Sequence, residues 1–229
     1  MTRDEVRAQI EEAGIIPAVR VASVDDALFA SRAVFHGGIP IVELTTTIPD
    51  VLQVIAELAE DASVVVGAGT IFDADMALRC MEAGARFLTS PGLDPDVMRF
   101  AEQRGICVIP GALTPSEVMA SAKTGADFVK IFPCAQVGGP AFIRALKAPF
   151  PHVPLIASGG VNQQTAAEFI RSGATGLGIG VELIPSEAVR TRNADWIREL
   201  SRRFLGIVKE ARAQVGRHKQ FQADAKDFE

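Results

Sequence analysis

The chain has 229 residues, 48% hydrophobic and 22% charged, with a formal net charge of -5 and a pI of about 5.3. That composition predicts one ordinary globular unit with ample core, and the lack of any basic block gives no indication of nucleic-acid or membrane-surface binding. The three cysteines, Cys80, Cys107 and Cys134, are far apart and in no CxxC pairing, so no disulfide framework and no zinc or other metal site is expected, and a reducing, cytoplasmic setting fits.

The N-terminal stretch MTRDEVRAQIEEAG is charged and predicts a first helix at about 3–13 rather than a secretory signal. No apolar run approaches the roughly 20 residues that span a bilayer. From there, short apolar runs alternate with amphipathic stretches. The runs are 15–20 (IIPAVR), 40–45 (PIVELT), 63–67 (SVVVG), 86–90 (RFLTS), 106–110 (ICVIP), 127–132 (DFVKIF), 153–158 (VPLIAS) and 175–180 (TGLGIG). They recur every 20–25 residues or so, the pitch of βα units.

The stretches between them carry helix signals. Ser23 and Asp73 are good N-caps, and Thr114-Pro115-Ser116-Glu117 reads as a capping box with proline at the first helical position. Asn162 opens another helix, and several end at glycine. Residues 186–216 read as a final helical region, and the polar tail at about 217–229 is expected to be loosely ordered. Eight alternating units predict a single-domain parallel (β/α)8 barrel, with an open doubly wound sheet as the competing arrangement.

Strand side chains alternate between faces. Lys130 shares a face with Phe128 and Phe132, Glu43 with Ile41 and Thr45, and Arg20 with Ile16 and Ala18. The outward face of a barrel packs on helices and favours Val, Ile and Leu, so Lys130, Glu43 and Arg20 are expected to point inward. Any one of them taken alone is equally well a solvated strand end or half of a structural salt bridge. Three ionisable residues on three different strands point instead to a site at the C-terminal mouth.

Each has a chemical use there. A lysine between two phenylalanines is partly desolvated, which favours the free amine as a nucleophile towards a carbonyl. A neighbouring carboxylate can shuttle protons. The guanidinium of Arg20 suits a carboxylate or a phosphate. No tyrosine is present to act as an acid.

Glycine-rich turns follow the last two strands, at 157–162 (ASGGVN) and 176–183 (GLGIGVEL). Turns at that place in a barrel let backbone N–H groups approach a phosphate, and they also serve simply as tight βα turns. GAGT at 67–70 lacks the third glycine of a dinucleotide fingerprint and reads as a turn carrying Thr70 to the mouth. The stretch 133–140 (PCAQVGGP) reads as a loop able to close over substrate, and Cys134 has no role assigned.

Taken in order, PAVR, GGIPIVELT, VGAGT, FLTSPG, IPGALTPSE, FVKIFP and SGG resemble the 2-keto-3-deoxy-6-phosphogluconate (KDPG) aldolase family, which includes 4-hydroxy-2-oxoglutarate (KHG) aldolases. The resemblance covers about residues 10–210, and FVKIFP is its most diagnostic part. It implies a class I, Schiff-base aldolase on a (β/α)8 barrel, cytoplasmic and homotrimeric, with no metal or other cofactor. Its partner is a small, phosphorylated keto acid, and by resemblance Lys130 forms the Schiff base and Glu43 is the general acid/base. Thr70, Pro91 and Phe132 match positions lining the pyruvate pocket, and Gly159 and Gly160 the phosphate-binding turn.

Two departures bear on the substrate. Some family members carry arginine four residues after the glutamate, where this chain has Thr47, and Arg20 is available to supply that charge. The family often has Gly-Ser at the end of the last strand, where this chain has Gly180-Val181, losing a hydroxyl but keeping the backbone N–H. The same chemistry on the C4 epimer, 2-keto-3-deoxy-6-phosphogalactonate, fits these residues equally. A phosphate-binding barrel isomerase or synthase, and a non-catalytic barrel, are the readings without a covalent lysine.

Overall fold

A computed structural model describes the backbone of residues 1–226 and the side chains of residues 1–217. Its strands are β1 (Ile15–Val19), β2 (Ile41–Thr45), β3 (Val65–Gly69), β4 (Phe87–Thr89), β5 (Cys107–Ile109), β6 (Gly111–Ala112), β7 (Val129–Ile131), β8 (Leu155–Ser158) and β9 (Gly176–Ile179). All neighbouring pairs are parallel, in the order β5-β4-β3-β2-β1-β9-β8-β7-β6. The two ends of that order, β5 and β6, are successive segments of one stretch broken at Pro110, which has no N–H for the ladder. The sheet therefore closes on itself. The expected (β/α)8 barrel is the fold, and an open doubly wound sheet is excluded.

The helices begin where the sequence places caps. Ser23 accepts from the Asp26 N–H, Asp73 from the Met76 N–H, and Thr114 and Glu117 form a reciprocal capping box. Asn162 behaves differently: its Oδ1 accepts from the N–H groups of Gln164 and Thr165, making a turn, and α8 (Ala166–Arg171) starts only after it. The final helical region comprises α9 (Ser186–Arg190) and α10 (Ala194–Lys226). The expected loose tail, 217–229, falls on the end of α10 and on 227–229, which lie outside the described residues.

Helix α1 (Arg3–Ala13) packs against β1, β2, β5 and β9, so it lies across the N-terminal end of the barrel, burying Val6 and Ile10 there. Helix α10 packs on α8 and on α2 (Val24–His36), and Arg212 on α10 donates to the carbonyls of Glu11, Glu12 and Thr175. With one end plugged, only the C-terminal end of the strands is left to open to solvent. Among the described residues, no helix is long and apolar enough to cross a membrane.

One segment departs from the sequence expectation in register. Strand three was expected at 63–67 with GAGT as a turn, yet β3 runs Val65–Gly69 and both glycines lie within it. Asp61 accepts from the Ser63 N–H at 2.9 Å, which holds the chain in a turn two residues longer than expected. The glycines stay in the strand because their inward faces must be empty. A Cβ at Gly67 would collide with the Phe87 ring, and one at Gly69 with the Glu43 carboxylate.

Candidate active site at the C-terminal mouth of the barrel

Both faces of β2 are buried, so burial alone does not tell inside from outside. Charge does. Val42 and Leu44 pack towards the helices, and Glu43 projects into the barrel, where it pairs in register with Ala18 on one side and Gly67 on the other. Lys130 lies on β7 between Gly111 and Ile156. Across the barrel, Lys130 Nζ stands 3.7 Å from Glu43 Oε1, with side chains 13% and 5% exposed.

That separation is longer than a hydrogen bond, so the two groups face each other without a fixed proton-sharing contact. Apo active sites often show such spacing, tightening when substrate binds. Lys130 Nζ also lies 5.5 Å from the centroid of the Phe132 ring, close enough for a cation–π contact.

The pair opens into a cavity of about 450 Å³. Arg20, Thr70, Pro91, Phe132, Gly159, Gly160 and Val181 all line it together with Glu43 and Lys130, so the structure brings every residue singled out from the sequence to one place. Arg20 follows the last residue of β1, is exposed, and has no ion-pair partner among the described residues. Thr70 has φ 65°, a left-handed conformation that costs a β-branched residue about 1–3 kcal/mol. It is held there by two contacts: Thr46 Oγ1 donates to the Thr70 carbonyl at 2.9 Å, and the Ile71 N–H donates to the Thr89 carbonyl at 3.1 Å. Such strain persists only where surrounding contacts over-determine it.

Gly159 and Gly160 adopt φ 86° and 82°. A Cβ at Gly160 would strike Ala135, and one at Gly159 would press on Pro133 and Phe132. The turn after β8 thus packs directly on the segment after β7. That segment was expected to be a loop free to close over substrate. Instead it forms a short 3-10 turn, Ala135–Val137, with the Cys134 N–H donating to the Ser158 carbonyl at 2.8 Å and the Ala135 N–H to that of Gly159 at 3.0 Å. It packs behind the turn after β8, and none of its residues lines the cavity. Burial pushes the Cys134 thiol up to about 12, which keeps it protonated and unreactive at neutral pH.

The cavity also has walls that sequence reasoning missed: Phe72, Ser158, Gly178, Glu182 and Ile184. Phe72 follows Thr70 by two residues and is 66% exposed, a large apolar group at the rim. Glu182 stands next to Val181 in the glycine-rich stretch already noted, so its position was available as a signal. Thr47, at the place where some similar sequences carry arginine, is exposed and bonded to the Thr45 hydroxyl at 2.8 Å. Among the described residues, no cluster of His, Cys, Asp or Glu is arranged to hold a metal ion.

A family model for KDPG and KHG aldolase matches residues 6–200. A 2-dehydro-3-deoxy-phosphogluconate aldolase from Treponema pallidum is 30% identical over 200 residues, covering 87% of this chain and 95% of that protein. A probable 2-dehydro-3-deoxy-6-phosphogalactonate aldolase from Rhizobium meliloti is 31% identical over 175 residues, covering 75% and 82%. Among solved structures, the KDPG aldolase of Legionella pneumophila, with pyruvate captured at low pH as a covalent carbinolamine intermediate, aligns with a TM-score of 0.80 at 29% identity, covering 86% of this chain and 96% of that one. With a lysine facing a glutamate inside a parallel barrel and a family match over most of its length, the chain belongs to the KDPG and KHG aldolase family.

Proposed function

We propose that this chain is a class I aldolase that cleaves 2-keto-3-deoxy-6-phosphogluconate to pyruvate and glyceraldehyde 3-phosphate, with 4-hydroxy-2-oxoglutarate, giving pyruvate and glyoxylate, as a further substrate. The observation that carries this reading is the Lys130–Glu43 pair, 3.7 Å apart and sheltered, at the base of a cavity that opens at the catalytic end of the barrel.

The proximity of Lys130 and Glu43 supports the following sequence of events. The free amine of Lys130 attacks C2 of the keto acid, and Glu43 moves protons as the carbinolamine loses water to give an iminium. Glu43 then takes the C4 hydroxyl proton. The C3–C4 bond breaks, its electron pair passes into the iminium, and an enamine of pyruvate and an aldehyde result. Protonation and hydrolysis free pyruvate and return the lysine. Thr70, Pro91 and Phe132 line the part of the cavity where pyruvate is held, Arg20 supplies charge for a carboxylate or phosphate, and Gly159, Gly160 and the Val181 N–H receive the far end of the substrate. No metal or organic cofactor is assigned.

Similar proteins named for the gluconate and the galactonate series match at nearly the same identity, which supports the C4 epimer as a second substrate of the same chemistry. Comparing kcat/KM for the two epimers decides between them. We propose a homotrimer in the cytoplasm, a mass measurement in solution being the check on the assembly.

The test of the reading is borohydride reduction in the presence of pyruvate, followed by mass spectrometry. A reduced pyruvyl adduct on the peptide containing Lys130 is expected. A folded protein that acquires no adduct is not a Schiff-base aldolase.

A further inference from the structure

Beyond the Lys130–Glu43 pair, the cavity is bounded by the turns after β8 and β9. In the second turn, the N–H groups of Leu183 and Ile184 both donate to the Gly180 carbonyl, at 3.0 and 2.9 Å, which leaves Val181 and Glu182 at the exposed crest. Both line the cavity with Gly159 and Gly160. Val181 is 67% exposed and offers only apolar surface. Glu182 brings a carboxylate that has no ion-pair partner among the described residues.

The charges of the lining decide what that end prefers. Its cations are Arg20 and Lys130, and its anions are Glu43 and Glu182. Lys130 is committed to the keto carbon, so Arg20 alone is left to meet an anionic substrate, with Glu182 opposing it. A phosphorylated keto acid carries a carboxylate at one end and a phosphate of about -1.5 to -2 at the other. Helix α8 is six residues long and is entered through the Asn162 turn, so it directs no extended helix dipole at the glycines. What the two turns do offer is backbone N–H groups: those of Gly159, Gly160, Val181 and Glu182 donate to no other group among the described residues. Such donors serve a hydroxyl oxygen as well as a phosphate oxygen.

Resting on the aldolase reading above, we propose that this site does not depend on a phosphate: it cleaves the unphosphorylated 2-keto-3-deoxy sugar acid about as well as its phosphorylated form, and Glu182 is the residue that removes the preference for phosphate. The step is the same retro-aldol cleavage. The C3–C4 bond breaks, the C4 hydroxyl proton passes to Glu43, the electron pair enters the iminium, and an unphosphorylated hydroxyaldehyde leaves. The resulting enamine takes a proton at C3 and is hydrolysed to pyruvate, the water expelled in forming the iminium being returned here, so no co-reactant is consumed.

The experiment measures kcat/KM by pyruvate release for the phosphorylated sugar acid and its unphosphorylated counterpart, in the wild type, Glu182→Gln and Glu182→Lys. Borohydride trapping of pyruvate is run on each protein. The two substrates are expected to lie within about tenfold of one another in the wild type. Removing the charge should then move the ratio towards the phosphorylated form by about fivefold, and reversing it should move the ratio further, the size expected of a single exposed charge. A wild-type preference for phosphate of more than tenfold, or a ratio unmoved by both substitutions, overturns the proposal while the adduct on Lys130 leaves the aldolase reading standing. Absence of both turnover and adduct overturns the aldolase reading and the proposal with it.

Discussion

Two buried carboxylates sit towards opposite ends of this barrel and differ in what holds them. Asp127, just before β7 at the closed end, is 4% exposed and fully engaged. Arg3 Nε donates to both its oxygens at 2.8 and 3.0 Å, and the Val108 N–H donates to Oδ2 at 2.8 Å. Glu43 is equally buried, yet its only polar partner among the described residues is Lys130 at 3.7 Å. A buried charge is expensive unless it is bound. Asp127 is satisfied and fastens α1 across the base of the barrel, whereas Glu43 is left with capacity to spare beside a cavity. Burial together with incomplete satisfaction is what sets Glu43, the carboxylate proposed to move protons, apart from the structural Asp127.

The comparison can be broken most severely at the open end. Lys130→Met should lower kcat/KM at least a thousandfold, ~4 kcal/mol in barrier terms, and abolish the borohydride adduct while circular dichroism stays native. Glu43→Gln should cost 10²- to 10⁴-fold in kcat, with slower imine formation read from trapping rates. Gly69→Ala is the sharper test. The added methyl occupies the place of the Glu43 carboxylate, so roughly a hundredfold loss is expected from displacing that group, although Gly69 itself does not line the cavity. Near-normal activity in Gly69→Ala would show that the position of Glu43 is not critical.

At the closed end the outcome should reverse. Asp127→Asn leaves Arg3 without its ion pair and should cost about 3 kcal/mol of stability in urea denaturation, with kcat retained. A comparable fall in kcat would mean that the two ends are coupled. The smallest effect concerns the thiols. Burial pushes Cys80 up to about 11 and Cys134 up to about 12 from an ordinary 9.0. The folded form keeps these protons to higher pH than the unfolded chain, so the stability they contribute is complete below about pH 9 and is lost as pH rises towards 11 and 12. The denaturation midpoint should fall over that range, and native protein at neutral pH should resist alkylation at both cysteines.

Much of the fold was legible because barrel strands are buried on both faces and therefore stand out as short apolar runs, and because the helix caps are local chemistry. The expected strands recur in the structure within about two residues. The misread places are those where a distant partner decides. Gly67 and Gly69 look like turn residues until Phe87 and Glu43 are seen to fill the space above them. The segment after β7 looks like a lid until its N–H groups are found bonded to the turn after β8. Phe72 carries no motif, and its place at the rim depends on where the turn after β3 projects.

The sequence by itself determined the alternation of strands and helices, the inward-facing Lys130, Glu43 and Arg20, and the glycine turns after the last two strands. Each of these rests on periodicity or on local backbone preference, which neighbouring residues settle among themselves. Only the tertiary structure decided that β5 and β6 close the ring, that Lys130 and Glu43 come within 3.7 Å across it, and that Glu182 shares a cavity with the glycines expected to meet phosphate. Distances across a barrel are set by its closure, which couples residues far apart in the chain and which no local pattern encodes.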